Sequence, residues 1–263
     1  MKAEKFYSEG QHQWFMVYDQ EESRVVDSNV FALQVDNDTL LCDPGGFEVF
    51  PQVFSALVDV LPPSTIKQAF VSHQDPDVAS SLPLWNACSP QITWHTSKLW
   101  VGFIRHYGAL EANIQGIPDE GGELVVGAAR LQIIPAHYLH SSANFHLYDP
   151  QAKVLFSADV GAALLPVGHS GFVERRNLES ASAFDAHIKH AEYFHKRWMP
   201  SNAAKRDWCE RVAKLDIDFL CPQHGAIYTG KNVKRFIDWF DALDVGSGCC
   251  ASKGRDAHSK LGP

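Results

Sequence analysis

The sequence predicts a single α/β domain in which strands are packed between helices. Three observations carry that expectation. Short apolar, β-branched runs alternate with helically spaced apolar positions along the whole chain. With 263 residues, 45% of them hydrophobic, the chain is long enough to bury a full core. Histidines and aspartates recur immediately after the apolar runs, at the ends of expected strands.

Taken in order, Trp14–Tyr18, Asn29–Val35 and Thr39–Cys42 read as strands, the last two joined into a hairpin by Asp36-Asn37-Asp38. Asp43-Pro44-Gly45-Gly46 breaks the chain, and Val49–Leu61 has apolar residues at helical spacing until Pro62-Pro63 stops it. Ala69-Phe70-Val71-Ser72 is a buried-strand run ending at His73, and Val78–Trp85 reads as a helix. In the second half, Leu131–Ala136, Asn144–Tyr148 and Val154–Ala158 are strands, with a turn at Asp149-Pro150. A less regular stretch from Gly161 to Val173 precedes helical periodicity over Ser182–Trp198 and Lys205–Lys214. Phe219-Leu220-Cys221 is a short strand leading into Pro222-Gln223-His224-Gly225, and Val233–Leu243 is a final helix. Residues 1–245 are thus expected to form one domain, with 246–263 a Gly, Ser and Lys-rich tail that frays.

Composition narrows the function. The formal charge of −8 is spread along the chain without basic blocks, which argues against a nucleic-acid groove. Apolar runs fall short of the roughly 18 residues a membrane helix needs, and the N-terminus MKAEKFYSEG lacks the apolar stretch of a secretory signal, so a cytoplasmic protein is expected. Six cysteines without C-x-x-C spacing indicate neither a zinc ribbon nor a disulfide framework. An exposed vicinal pair such as Cys249-Cys250 can be redox-active, but is more often incidental.

Four pieces carry chemistry: His73-x-Asp75-x-Asp77, His140 in Tyr138-Leu139-His140-Ser141-Ser142, Asp159 in Leu155-Phe156-Ser157-Ala158-Asp159, and His224 in Cys221-Pro222-Gln223-His224-Gly225. A lone histidine or aspartate at a strand end is more often a cap or a satisfied core group than a ligand. All four pieces in this order, each after an apolar strand, point to a metal site.

With these residues the sequence resembles the metallo-β-lactamase superfamily over about residues 28–243. Ser28-Asn29-Val30-Phe31 and Leu41-Cys42-Asp43-Pro44-Gly45 resemble its opening hairpin and strand-end aspartate. The resemblance implies an αββα sandwich with a metal site where the halves meet. Hydrolases of the superfamily carry H-x-H-x-D-H, whereas flavo-diiron oxygen and nitric oxide reductases carry H-x-E-x-D-H. Here His73-Gln74-Asp75-Pro76-Asp77-Val78 places a carboxylate where hydrolases have the second histidine. Leu139-His140-Ser141-Ser142-Ala143-Asn144 and Leu155-Phe156-Ser157-Ala158-Asp159-Val160-Gly161 are similar to the leucine-histidine step and the bridging-aspartate strand of the diiron branch. Carried over residue by residue, the resemblance implies His73, Asp75 and His140 on one metal, Asp77 and His224 on the second, and Asp159 bridging. Added carboxylate oxygens favour a harder ion than an imidazole-rich tetrahedral site does, so two iron ions are expected, with zinc or manganese as alternatives. Three carboxylates against two dications leave about one positive charge, which a bridging hydroxide neutralises; a bridging oxo group is the alternative.

Two departures stand out. Asp75 is one methylene shorter than the usual Glu, which shifts or weakens its metal contact. Val78 replaces a histidine beside the second metal, leaving an open position there. The resemblance implies a diiron protein that binds dioxygen, as a sensor or carrier linked to chemotaxis signalling, or as an oxygen or nitric oxide reductase served by a separate electron donor. No flavin domain and no Gly-rich dinucleotide fingerprint is expected in the chain, and diiron relatives suggest a homodimer. The rival expectation is a hydrolase of a thioester, lactone or phosphodiester with a bridging hydroxide as nucleophile; a third is a metal-free binding module.

Other residues weigh less. His137 competes with His140 and is expected behind the ligands, orienting one or holding a loop. His187, His190 and His195 on one helix read as packing or solvated histidines, while His146 and His169 are candidates to line the pocket. Tyr138 and Trp94 could form an aromatic wall, with core packing the default.

Overall fold

The computed structural model describes residues 1–19, 26–165, 178 and 180–246. His169, Cys249, Cys250 and the expected tail beyond Gly246 lie outside these residues.

The chain alternates as the periodicity requires. The first half contributes β1 (Lys2–Glu9), β2 (His12–Tyr18), β3 (Val30–Val35), β4 (Asp38–Cys42), β5 (Ile66–Phe70), β6 (Thr93–Ser97) and β7 (Asn113–Ile117), hydrogen-bonded in that order. β1 to β4 pair antiparallel, and β4 to β7 are parallel, linked by α1 (Phe50–Val58), α2 (Pro76–Ala79), α3 (Leu82–Cys88) and α4 (Val101–Ile104). The second half contributes β8 (Gly122–Val126), β9 (Ala129–Pro135), β10 (Phe145–Asp149), β11 (Val154–Ala158), β12 (Phe219–Pro222) and β13 (Tyr228–Thr229), the β11–β12 pair being parallel. Helices α5 (Ala181–Trp198), α6 (Asn202–Val212) and α7 (Lys231–Ala242) belong to this half.

Strand alternation sorts the side chains into three cores. Phe31 and Leu33 of β3, Phe70 of β5, and Phe145, Leu147 and Phe156 of β10 and β11 meet between the sheets. Leu41 and Ala69 turn the other way, onto Val53 and Leu57 of α1 and Trp85 of α3. Leu155 and Tyr148 face Trp208 of α6 and Phe236 and Phe240 of α7. Central strands buried on both faces explain the unbroken apolar runs in the sequence. Helices outside, two sheets inside: this is the expected αββα sandwich.

The differences from expectation have local causes. Val78–Trp85 is two helices, because the Ser81 hydroxyl donates to the Gly45 carbonyl at 2.6 Å and Pro83 starts a new first turn. The helix expected over Val49–Leu61 ends at Val58, with single turns continuing to Leu61 through Leu61 N–H to Leu57 O at 2.8 Å. Strands β1, β6, β7 and β8 gave no clear signal; in β1 and β8 buried residues are separated by exposed ones, and β6 and β7 mix polar residues with few apolar ones.

Candidate metal centre

All six expected ligand residues converge at one edge of the sandwich. His73 follows β5, Asp159 follows β11 and His224 follows β12, while His140 lies on the loop between β9 and β10. Asp75 is the N-cap residue of α2 and Asp77 lies in its first turn. The Asp75 side chain makes no capping hydrogen bond, so its carboxylate is available to the site.

Asp159 is the centre of the arrangement. Its Oδ2 lies 2.7 Å from His140 Nε2 and 3.5 Å from His73 Nε2, and its Oδ1 lies 3.5 Å from His224 Nε2. Asp75 Oδ2 stands 3.5 Å from His140 Nε2 and 3.7 Å from His73 Nε2, so the short side chain reaches the first group. Asp77 Oδ2 stands 3.4 Å from His224 Nε2. His73, Asp75 and His140 each offer a ligand atom within 4.8 Å of the others. The donors thus fall into two sets, one on each oxygen of a single buried carboxylate.

The rings are held with their Nε2 atoms inward. The Asp27 carbonyl, which can only accept, takes the His224 Nδ1–H at 2.8 Å, leaving the Nε2 lone pair for the site. Ser72 donates its hydroxyl to Asp43 Oδ2 at 2.6 Å and faces His73 Nδ1 at 2.8 Å. Asp43 also accepts the Ser72 N–H at 2.8 Å, so the strand-end aspartate anchors the turn into His73. Burial pushes the Asp43 carboxyl up to about 7, against the lowering effect of His73 and Ser72.

The loops that carry the candidate ligands are stapled from both halves. Asn29 donates to the carbonyls of Pro222 and Gly225 at 3.0 and 2.9 Å, tying the start of β3 to the His224 turn. Gly161 N–H donates to His195 Nε2 at 3.0 Å, and the Tyr228 hydroxyl donates to the Gly161 carbonyl at 3.0 Å, fixing the bend after Asp159. Gly225 has φ +83°, and a Cβ there would stand 2.9 Å from the His187 ring. His187 and His195 are therefore packing residues as expected, with His195 supporting the site loop.

A metal suits this donor set. Asp159 Oδ1 is buried with no hydrogen-bond donor among the described residues, a costly state for a carboxylate oxygen. Burial favours a neutral His73, but Asp75, Asp159 and Asp43 overcome it and lift the group to about 9. The surrounding carboxylates thus hold a proton on His73, a positive charge that a bound cation replaces.

The centre opens into a pocket of about 450 Å³. Its wall is mainly apolar: Val26, Val49, Leu164, Phe194 and Trp198 line it beside the donors, together with Ser28 and Glu48. Trp198 stacks on Phe194 at 5.8 Å and sets its ring edge-on to His140 at 5.5 Å. These two residues, four apart on α5, form an aromatic wall for which Tyr138 and Trp94 were the sequence candidates, with core packing the default; the i, i+4 spacing of Phe194 and Trp198 is the signal for it. Tyr138 is exposed, and Trp94 is buried against the helices with its N–H on Asn86 Oδ1 at 2.8 Å. Val78 is wholly buried in that same helix-side core. His137 turns away from the centre and donates to the Asp119 carbonyl at 2.9 Å, holding that loop. His146 does not line the pocket; it is buried, accepts the Trp208 N–H at 3.0 Å, and burial lowers its pKa to about 3.

Residues 26–225 match the family described as ODP family beta lactamase. A structure of the peroxy diiron species of the chemotaxis sensor ODP is 30% identical, with a TM-score of 0.81 over 94% of this chain and 97% of that one. The flavodiiron protein of Giardia intestinalis shares the fold at 19% identity, with a TM-score of 0.76 over 90% of this chain and 58% of its own. The uncharacterised protein MJ0732 of Methanocaldococcus jannaschii is 30% identical over 126 residues, 47% of this chain, so the match spans only 30% of that relative's length. On the match through residues 26–225 and the near full-length likeness to the sensor, the chain belongs to the ODP family of beta lactamases.

Proposed function

We propose that this protein holds two iron ions between its sheets and binds dioxygen there, serving as an oxygen sensor. The observation that carries this function is Asp159: a single buried carboxylate whose Oδ2 faces His140 and His73 and whose Oδ1 faces His224. His73, Asp75 and His140 hold one ion, Asp77 and His224 the other, and Asp159 both. Mixed imidazole and carboxylate donors suit iron; zinc and manganese are the competitors. When bound, a ferrous pair supplies the electrons that dioxygen chemistry needs.

The chain's own residues do the rest. Ser72 and the Asp27 carbonyl fix the ring orientations before metal arrives. Val26, Leu164, Phe194 and Trp198 make an approach suited to a neutral gas such as dioxygen or nitric oxide. Val78, withdrawn into the core, leaves the Asp77 and His224 side short of a protein ligand. Among the described residues no lysine or arginine lines the pocket.

The likeness to a chemotaxis sensor supports a signalling protein as the downstream partner. Reduction of dioxygen or nitric oxide would require a separate electron donor. None of the described helices is long and apolar enough to cross a membrane, compatible with work in the cytoplasm, and a homodimer is the assembly we propose. The test is anaerobic loading with ferrous iron, elemental analysis, and stopped-flow mixing with oxygen. About two irons per chain and a new absorption band are expected. Two tightly held zinc ions from iron-rich medium, or an iron-loaded sample without spectral change, would overturn the proposal in favour of hydrolysis.

A further inference from the structure

Gln74 lies between His73 and Asp75, two residues of the first donor set, and no ligand pattern accounts for it. Its side-chain amide donates to Asp75 Oδ1 at 2.9 Å, and its carbonyl oxygen accepts from the Ser141 hydroxyl at 2.7 Å. The orientation follows from chemistry: the reversed amide would set a carbonyl oxygen against an ionised carboxylate. The Gln74 backbone carbonyl in turn accepts from the Tyr107 hydroxyl at 2.7 Å. Two residues past Ser141, the Ala143 carbonyl accepts from Trp100 Nε1 at 2.9 Å. One amide thus ties the Asp75 carboxylate to the loop that carries His140, and side chains flanking α4 pin both segments.

An aspartate has one torsion fewer than a glutamate and one methylene less reach. With Oδ1 held by the amide, Oδ2 is turned to His140 Nε2 at 3.5 Å and His73 Nε2 at 3.7 Å. We propose that Gln74 is a positioning residue that makes the short carboxylate of Asp75 an effective metal ligand. It holds Oδ2 at the point shared with His73 and His140 and keeps the His140 loop at matching distance. This role rests on the diiron proposal above. Without the amide, Asp75, 29% exposed at its side chain, is free to turn to water. A glutamate at position 75 reaches the same point without a clamp.

The test is anaerobic titration of the full chain with ferrous iron, counting ions and their affinities, with the d–d spectrum of the cobalt(II)-loaded protein as a second readout. Gln74→Ala is expected to weaken one of the two ions by about 10–100-fold, the range for removing a ligand's hydrogen-bond partner, and to leave the other unchanged. Asp75→Glu in the Gln74→Ala background is expected to restore the lost ion and its cobalt band. Gln74→Glu, which keeps the volume but sets two carboxylates together, is expected to lose the same ion, so the outcome does not hinge on folding of the alanine variant. Both ions bound as in wild type by Gln74→Ala or Gln74→Glu, equal loss of both ions, or no rescue by Asp75→Glu would overturn the role while the diiron proposal stands. A wild-type chain that binds no iron would overturn the diiron proposal and this role with it.

Discussion

Replacing Asp159 by alanine is expected to strip metal from both positions, whereas replacing His137 leaves the metal count intact. Asp159 is 3% exposed and offers an oxygen to each donor set, so its removal takes one ligand from each ion and the single negative charge that both feel. At about 4 Å and an effective dielectric of about 20, a unit charge pair is worth about 4 kcal/mol, hence about 8 kcal/mol against a dication. If solvent entering the vacated space returns half, about 4 kcal/mol per ion is lost, or roughly a thousandfold in affinity. Removing Asp159 also leaves two dications facing each other with only Asp75 and Asp77 to compensate them. His140→Ala by comparison removes one imidazole from one set, and the Asp77 and His224 side keeps its donors. His137, bonded to the Asp119 carbonyl, contributes no donor atom. Iron per chain after anaerobic desalting is the assay. Two irons retained by Asp159→Ala would refute the bridge, and metal loss in His137→Ala but not in His140→Ala would shift the ligand by three residues.

Three further outcomes follow from the packing around the centre. Asn29→Ala leaves the buried carbonyls of Pro222 and Gly225 without their donor, a cost of about 1–3 kcal/mol, which for a chain of this size lowers the melting temperature by roughly 2–10 °C; an unchanged thermal midpoint would discount the staple. Gly225→Ala puts a side chain where φ is +83° and 2.9 Å from the His187 ring, so the His224 turn must shift, and weaker binding of the second iron in a folded variant is the expected reading by titration. Away from the metals, burial pushes the Asp149 carboxyl up, but the His12 and Trp14 side chains, whose nitrogens lie 2.5 and 2.8 Å from its Oδ2, hold it below the ordinary 3.8. Because the folded-state value is the lower one, its stabilisation is complete above the unfolded value and is lost as pH falls from about 4 through the folded value. Acid unfolding followed by circular dichroism should therefore be steeper over that window in wild type than in Asp149→Asn, and matching slopes would refute the coupling.

The sequence by itself determined the candidate ligands' neighbourhoods and an α/β arrangement of strands packed between helices. Apolar runs such as Val154–Ala158 are buried on both faces and stop at a charged residue, so Asp159, His73 and His224 announce themselves as strand-end groups from one segment of chain each. Hydrogen bonds and contacts between distant segments were decided only by the tertiary structure. Asn29 reaches carbonyls 193 and 196 residues away, Gln74 meets Ser141 across 67 residues, and Phe194 and Trp198 become a pocket wall only because α5 lies over His140. Nor does sequence spacing separate His137 from His140, which follow the same strand. The loop's path sends one toward the Asp119 carbonyl and the other to Asp159. Local patterns record how deeply each residue is buried; partners across the sandwich depend on how two independently formed sheets pack, and no short window of sequence contains both sides of that contact.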